Sequence, residues 1–248
     1  MNKVWCFLIC ILLSKPGFSE TKYTIYTEEF PPYNFTKNSK IHGASTQVIE
    51  ALFKEAGLKY QIVSRPWARS YRSVQEEKSS FIYSISRREN REKLFKWVGK
   101  IAPSNHCIFA RKGSNFKISK LEDLSKFEIG TTIDDARESY LVSKGIPLDK
   151  LQRTSGKDSA MQNYKKLMAK RIDLWPMPKA VATYLLKREN IEISSTLEVA
   201  FELEDMAGWY YLAANLDTPD EIISKLQESL EVLKKKNLVS KLTSKWSL

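Results

Sequence analysis

The chain of 248 residues is 42% hydrophobic and 28% charged and carries three cysteines. It is long enough to bury a sizeable core as one large or two moderate domains, and its composition excludes disordered, fibrous and solenoid architectures. Forty Lys and Arg against 29 Asp and Glu give a net charge of +11, but the bases are scattered among acids, and no basic run, zinc spacing or RNA-binding signature supports a nucleic-acid partner.

Lys3 precedes an apolar run from Val4 to Leu13, and the small residues Gly17 and Ser19 follow. The pattern predicts a secretory signal over residues 1–19, since about ten apolar residues fall short of the roughly 20 that span a bilayer. A periplasmic location is the corresponding expectation. Bulky Ile9 argues against a lipid anchor on Cys10. Cleavage after Ser19 removes Cys6 and Cys10, so the exported chain is expected to lack an internal disulfide, with Cys107 a buried small hydrophobe in the run Cys107–Ala110.

Tyr23–Thr27 predicts an opening strand, stopped by Pro31-Pro32. Val48, Ile49, Leu52, Phe53 and Ala56 recur on one helical face, with Gly57 as the stop. A strand over Tyr60–Val63, a helix over Trp67–Glu77 and a strand over Phe81–Ser84 complete a β-α-β-α-β run, the signature of a parallel sheet flanked by helices. A second such run follows Arg111-Lys112-Gly113-Ser114. It has a strand at Glu128–Thr131, a helix from Asp134 to Val142 ended by Gly145, and a helix marked by Met161, Tyr164, Leu167 and Met168. A strand at Ile172–Trp175 and a further apolar pattern at Val181, Tyr184 and Leu185 come next. Gly208–Ala213 predicts a strand, and Pro219 opens a long helix with Ile222, Ile223, Leu226, Leu230 and Leu233 on one face. No long Gly/Ser linker separates the halves, which favours hinge motion over independent tumbling.

The segments Glu28–Phe35, His42-Gly43, Arg65-Pro66-Trp67 and Ser84–Gly99 resemble the family 3 extracellular solute-binding proteins, which include the polar amino-acid receptors of bacterial ABC importers. The resemblance runs over nearly the whole chain after residue 19, and the stretch around Arg91 is its most specific part. It implies an α/β, two-lobed periplasmic-binding-protein fold of type II, each lobe a mostly parallel sheet flanked by helices, closing on a ligand between the lobes. Residues 20–104 and 209–248 would form one lobe and 105–208 the other.

Residue by residue, the resemblance places Arg91 against a ligand carboxylate, where a planar guanidinium fork can pair bidentately and stay charged when desolvated. Arg87 and Arg88 are rivals for that role on the same strand-to-helix turn. Ser84 and Ser86 match positions that meet a ligand amine, and two residues apart on an extended segment they point the same way. Tyr33, Phe35, Trp67 and Trp175 are candidate aromatic walls. Asp134 and Asp135 stand at a helix start, where capping explains them, and where, if they faced the cleft, they would favour a cationic or polyamine-like group. The chain lacks the acid that amino-acid receptors place after the segment Arg171-Ile172-Asp173. Glu28, at the end of the first strand, can supply that negative charge. The expected partners are a small polar solute, such as an amino acid or related amine or carboxylate, and an inner-membrane ABC permease. The protein is expected to be a monomer, with no cofactor, metal or nucleic acid.

The leading expectation is therefore a non-enzymatic receptor. Two alternatives stand beside it: a periplasmic sensor for a signalling partner, and an exported cyclohexadienyl or arogenate dehydratase-like enzyme. The enzyme would need a shifted acid in the cleft, for which Glu28, Asp134 and Asp135 are the candidates. His42 and His106 read as structural, and no nucleophile, metal or phosphate-loop constellation is present in the sequence.

Overall fold

The computed structural model describes residues 22–246 and 248; the expected signal segment, with Cys6 and Cys10, lies outside them. β-rich residues form strand β1 (Tyr23–Thr27). Beyond the prolines, Asn38 and Ser39 both take positive φ and turn β2 (Phe35–Lys37) into β3 (Lys40–His42), the backbone geometry of a tight hairpin. Helix α1 (Ala44–Glu55) buries Val48, Ile49, Leu52 and Phe53 completely. It stops at Gly57, whose φ of +62° lets the Gly57 and Leu58 amides donate to the Lys54 and Phe53 carbonyls.

β4 (Tyr60–Ser64), α2 (Trp67–Glu76) and β5 (Ser80–Ser86) follow, then a short 3₁₀ turn at Glu89–Leu94 and the long strand β6 (Lys96–Ser104). Across Asn105 the chain enters β7 (His106–Arg111). It continues through β8 (Ile129–Thr132), α3 (Ala136–Ser143), β9 (Leu151–Thr154), α4 (Ser159–Met168), β10 (Leu174–Pro178), α5 (Lys179–Arg188), α6 (Ile193–Thr196) and β11 (Leu197–Glu202). It then returns through β12 (Gly208–Ala214) to α7 (Asp220–Lys235) and α8 (Leu238–Ser244).

The strands form two five-stranded sheets, ordered β4-β1-β5-β12-β6 and β11-β7-β10-β8-β9, each the centre of one lobe. In each sheet two neighbouring pairs are parallel and two antiparallel, rather than mostly parallel as expected. The reason is the double crossing between lobes: β12 comes back from the second sheet and runs against both β5 and β6, and β7 runs against both its neighbours. Cys107 is fully buried in β7, and burial pushes its thiol up to about 12, leaving it an unreactive core group. Among the described residues no helix is long and apolar enough to cross a membrane.

Gly43 caps α1 at φ +122°, and a Cβ there would come within 2.3 Å of the Tyr33 carbonyl oxygen and 2.7 Å of the Pro32 carbonyl oxygen. Backbone cannot yield as a side chain does. Gly43→Ala is expected to lower unfolding free energy by about 3 kcal/mol, measured by urea titration.

Candidate functional site

The carboxyl ends of β1 and β5 and the amino end of α3 converge where the two sheets face each other, the position at which open α/β sheets collect their binding groups. A small cavity there is lined from the first lobe by Glu28, Phe30, Trp67, Ser84, Ser86 and Arg91, and from the second by Asp135, Ala136 and Arg137. His106 and Tyr210, at the two lobe crossings, complete it. The cavity holds about 20 Å³, room for about one water.

Arg91 sits on the 3₁₀ turn with its side chain buried, not paired to Glu89 at the surface. Its guanidinium lies 4.9 Å from the Tyr71 ring centre and 5.4 Å from that of Trp67. Nη1 donates to the Ser86 carbonyl at 3.4 Å and Nη2 to the Asp134 carbonyl at 2.9 Å. Trp67 Nε1 donates to the same Asp134 carbonyl at 2.8 Å. One second-lobe carbonyl thus receives two first-lobe donors. Asp134 presents it from a left-handed backbone (φ +61°), which is why α3 starts at Ala136 and not at Asp134 as the sequence pattern predicts.

Ser84 also has positive φ (+59°), inside β5. The pairing with β12 slips there, Tyr211 facing Ile85 and Leu212 facing Tyr83, so Ser84 is the extra residue of a β-bulge. The extended geometry expected for Ser84 and Ser86 is therefore broken, yet both side chains reach the cavity. The buried Ser84 hydroxyl has no hydrogen-bond partner among the described residues.

Glu28 lies just past β1, and its carboxyl accepts no hydrogen bond from the described residues. Burial, then the negative charge of Asp135, pushes its pKa up to about 8, against the opposing pull of Arg137 and Arg91. Asp135 behaves oppositely. Burial acts to raise it, but the Arg137 charge and hydrogen bonds outweigh that and hold it below its ordinary value. Asp135 Oδ1 accepts from the Arg137 backbone amide at 2.8 Å and from Nε at 2.7 Å, and Oδ2 accepts from Nη2 at 2.7 Å. Arg137 Nη1 meets Met177 Sδ at 3.2 Å, and its guanidinium lies 5.6 Å from the Phe30 ring centre. His106 is buried, and desolvation with the nearby Arg137 lowers it to about 3, so the ring is neutral. Its Nε2 lies 3.3 Å from the Tyr210 hydroxyl, and Nδ1 has no partner among the described residues.

Six residues singled out in the sequence thus meet in one cavity: Glu28, Trp67, Ser84, Ser86, Arg91 and Asp135. Three do not. Arg87 is exposed, pairs with Glu92 and faces Trp97 and Tyr211 on the outer surface. Tyr33 packs behind Phe30, ring centres 5.4 Å apart, and donates to the Pro103 carbonyl; Phe30 is the wall residue instead. Trp175 is fully buried between Phe109 and Tyr164, because β10 is the central strand of its sheet and both faces are covered. Arg88 donates to the Asp205 and Met206 carbonyls at the second crossing, not into the cavity. Sequence reasoning missed Arg137, which reads as an ordinary first-turn helix residue, and set aside His106 as structural. No group of acidic, His and Cys side chains suited to a metal is present among the described residues.

Two α/β lobes joined by two crossings and enclosing a charged cleft define a periplasmic-binding-protein fold of type II. The profile of the bacterial extracellular solute-binding proteins, family 3, matches residues 23–248, and the chain belongs to that family. Among solved structures it is similar to a histidine kinase sensor domain with similarity to periplasmic binding proteins, with a TM-score of 0.80 at 20% identity, covering 91% of this chain and 95% of the other. An ancestral arginine-binding protein bound to arginine gives 0.75 at 22% identity over 90% and 96%. The arginine-, lysine-, histidine-binding protein ArtJ from Geobacillus stearothermophilus gives 0.76 at 18% identity over 90% and 94%. No curated protein matched the chain.

Because its folded-state pKa is raised, Glu28 keeps its proton in the folded protein while the unfolded chain ionises near 4.5. Its contribution to stability is intact below about 4.5 and falls as pH rises toward about 8. Glu28→Gln is therefore expected to leave stability nearly unchanged at acid pH and to raise it on the order of 2 to 4 kcal/mol at pH 8, read from parallel urea titrations.

Proposed function

We propose that this protein is an exported receptor that closes its lobes on a small zwitterionic solute of amino-acid type and delivers it to an ABC-type permease. The observation that carries the reading is the charge balance of the cleft. Asp135 and Arg137 cancel each other, which leaves one cation, Arg91, and one acid, Glu28, facing the same cavity. A carboxylate on Arg91 and an ammonium against Glu28 and the partnerless Ser84 hydroxyl would use all three. Membership of a solute-binding family and likeness to amino-acid-binding proteins support the same reading. Entry of the solute requires the Arg91 and Trp67 contacts with Asp134 to separate, with residues 20–104 and 209–248 moving against 105–208. The exported form is monomeric, periplasmic and begins at Glu20.

A thermal-shift screen of residues 20–248 against amino acids, amines, opines and small organic acids is the first experiment, since a solute that binds only the folded state raises the melting temperature. Calorimetry on a hit then tests the roles. Arg91→Ala is expected to weaken a carboxylated solute at least about a hundredfold, the worth of a desolvated charge-assisted pair of about 3 kcal/mol. Arg87→Ala is expected to leave affinity within about twofold, since Arg87 points away from the cavity. A flat screen, or equal affinity in Arg91→Ala and parent, overturns the reading.

Glu28 must give up its proton to pair with an ammonium. Binding of an amine solute at pH 7 is therefore expected to release close to one proton, seen as buffer-dependent binding enthalpy, with affinity rising as pH approaches about 8.

One observation favours a second reading: a carboxyl that is protonated near neutrality is what a dehydratase-type general acid needs, and Glu28 has that property. Turnover of prephenate or arogenate to an aromatic product, abolished by Glu28→Gln, would establish it in place of the receptor.

A further inference from the structure

Arg137 is almost wholly buried, although it is a charged residue in the first turn of a helix. Its guanidinium ends inside the cleft, where it holds a full set of recognition contacts: a bidentate carboxylate, an aromatic ring and a thioether sulfur. These are the contacts a site for a free guanidinium or other long basic group would offer. The carboxylate already accepts three hydrogen bonds, since Asp135 Oδ1 also caps α3 through the Arg137 amide. Little space remains beside the side chain, about 20 Å³.

We propose that Arg137 is a tethered occupant of the cleft's cation pocket, and that it sets specificity by denying this pocket to arginine-like and other long basic solutes. The inference rests on the reading of this cleft as the solute site. Arg137 and Asp135 both lie at the start of α3, so the pair travels with the second lobe and stays made when the lobes separate; the Phe30 ring, from the first lobe, does not travel with it. A free guanidinium would have to displace a group held two residues from its partner, whose effective concentration is far above any solute's. With that pocket filled, the charged groups left for a solute are Arg91 and Glu28, reached only when the lobes separate.

The test uses L-arginine and methylguanidinium as probes at millimolar concentration, with sodium chloride as the ionic control. Calorimetry on the parent is expected to show no binding of either. Arg137→Ala vacates the pocket and is expected to bind both probes at least about tenfold more tightly than the parent does, with a raised melting temperature. Asp135→Asn added to Arg137→Ala is expected to abolish the gain. Because Arg137→Ala leaves a buried carboxylate unpaired, it is also refolded with methylguanidinium present. Recovery with that ion, and not with sodium chloride, counts as the same gain. Binding of L-arginine to the parent as tight as to the variant, or a variant that neither binds nor is rescued by a guanidinium, overturns the inference. Failure of the solute reading alone has a different signature: the variant gains guanidinium binding while the parent and the variant ignore every zwitterion.

Discussion

The chemistry of this cleft depends on one ion pair. Asp135 and Arg137 are both removed from water, and neither charge would be tolerated there alone, since an unpaired buried ion costs several kcal/mol. Their three hydrogen bonds also fix the first turn of α3, and thus the direction in which the Asp134 carbonyl points. That carbonyl is where Arg91 and Trp67 attach the first lobe to the second. A local i,i+2 pair therefore sets the net charge of the cavity and the surface on which the lobes meet.

The remaining titratable groups take their state from burial first and from that pair second. Arg137 and Arg91 draw the Glu28 carboxyl toward its charged form, but burial and the Asp135 charge push the other way and prevail. His106 lies near the same guanidinium and is held neutral. Two groups that would ordinarily be charged at acid or neutral pH are thus poised in their uncharged forms. That is the state expected of a desolvated pocket in which charge appears when an ionic partner arrives.

Much of the scaffold was legible because periodicity survives the absence of tertiary information. The buried face of α1 and its Gly57 stop follow from spacing alone, as does the apolar face of α7. Several of the missed elements are short or polar, and the long strand β6 was missed as well. β9, with its two central residues exposed, carries almost no signal, and the β2–β3 hairpin turns on Asn-Ser, a weaker marker than Asn-Gly. At the site, Arg91 was reached through the family resemblance, with Arg87 and Arg88 as rivals on the same turn, whereas Trp175 misled because a continuous apolar run marks a strand covered on both faces. Arg137 was invisible for a different reason. An arginine in the first turn of a helix is indistinguishable in sequence from a solvated one, and the contacts with Asp135, Met177 and Phe30 that turn it inward exist only in the fold.

The shared Asp134 carbonyl has a consequence for whatever meets this protein. Arg91 and Trp67 bind the lobes together through the protein's own backbone. Part of what holds the lobes together therefore belongs to the protein itself. A partner that recognised only the outline of the closed lobes would be addressed by empty and loaded receptors alike, at the cost of futile encounters. If the protein delivers a solute as proposed, faithful delivery requires the partner to sense how long the lobes stay shut. In the proposed complex, a solute bridging Arg91 and Glu28 would lengthen that dwell time beyond what the carbonyl latch gives.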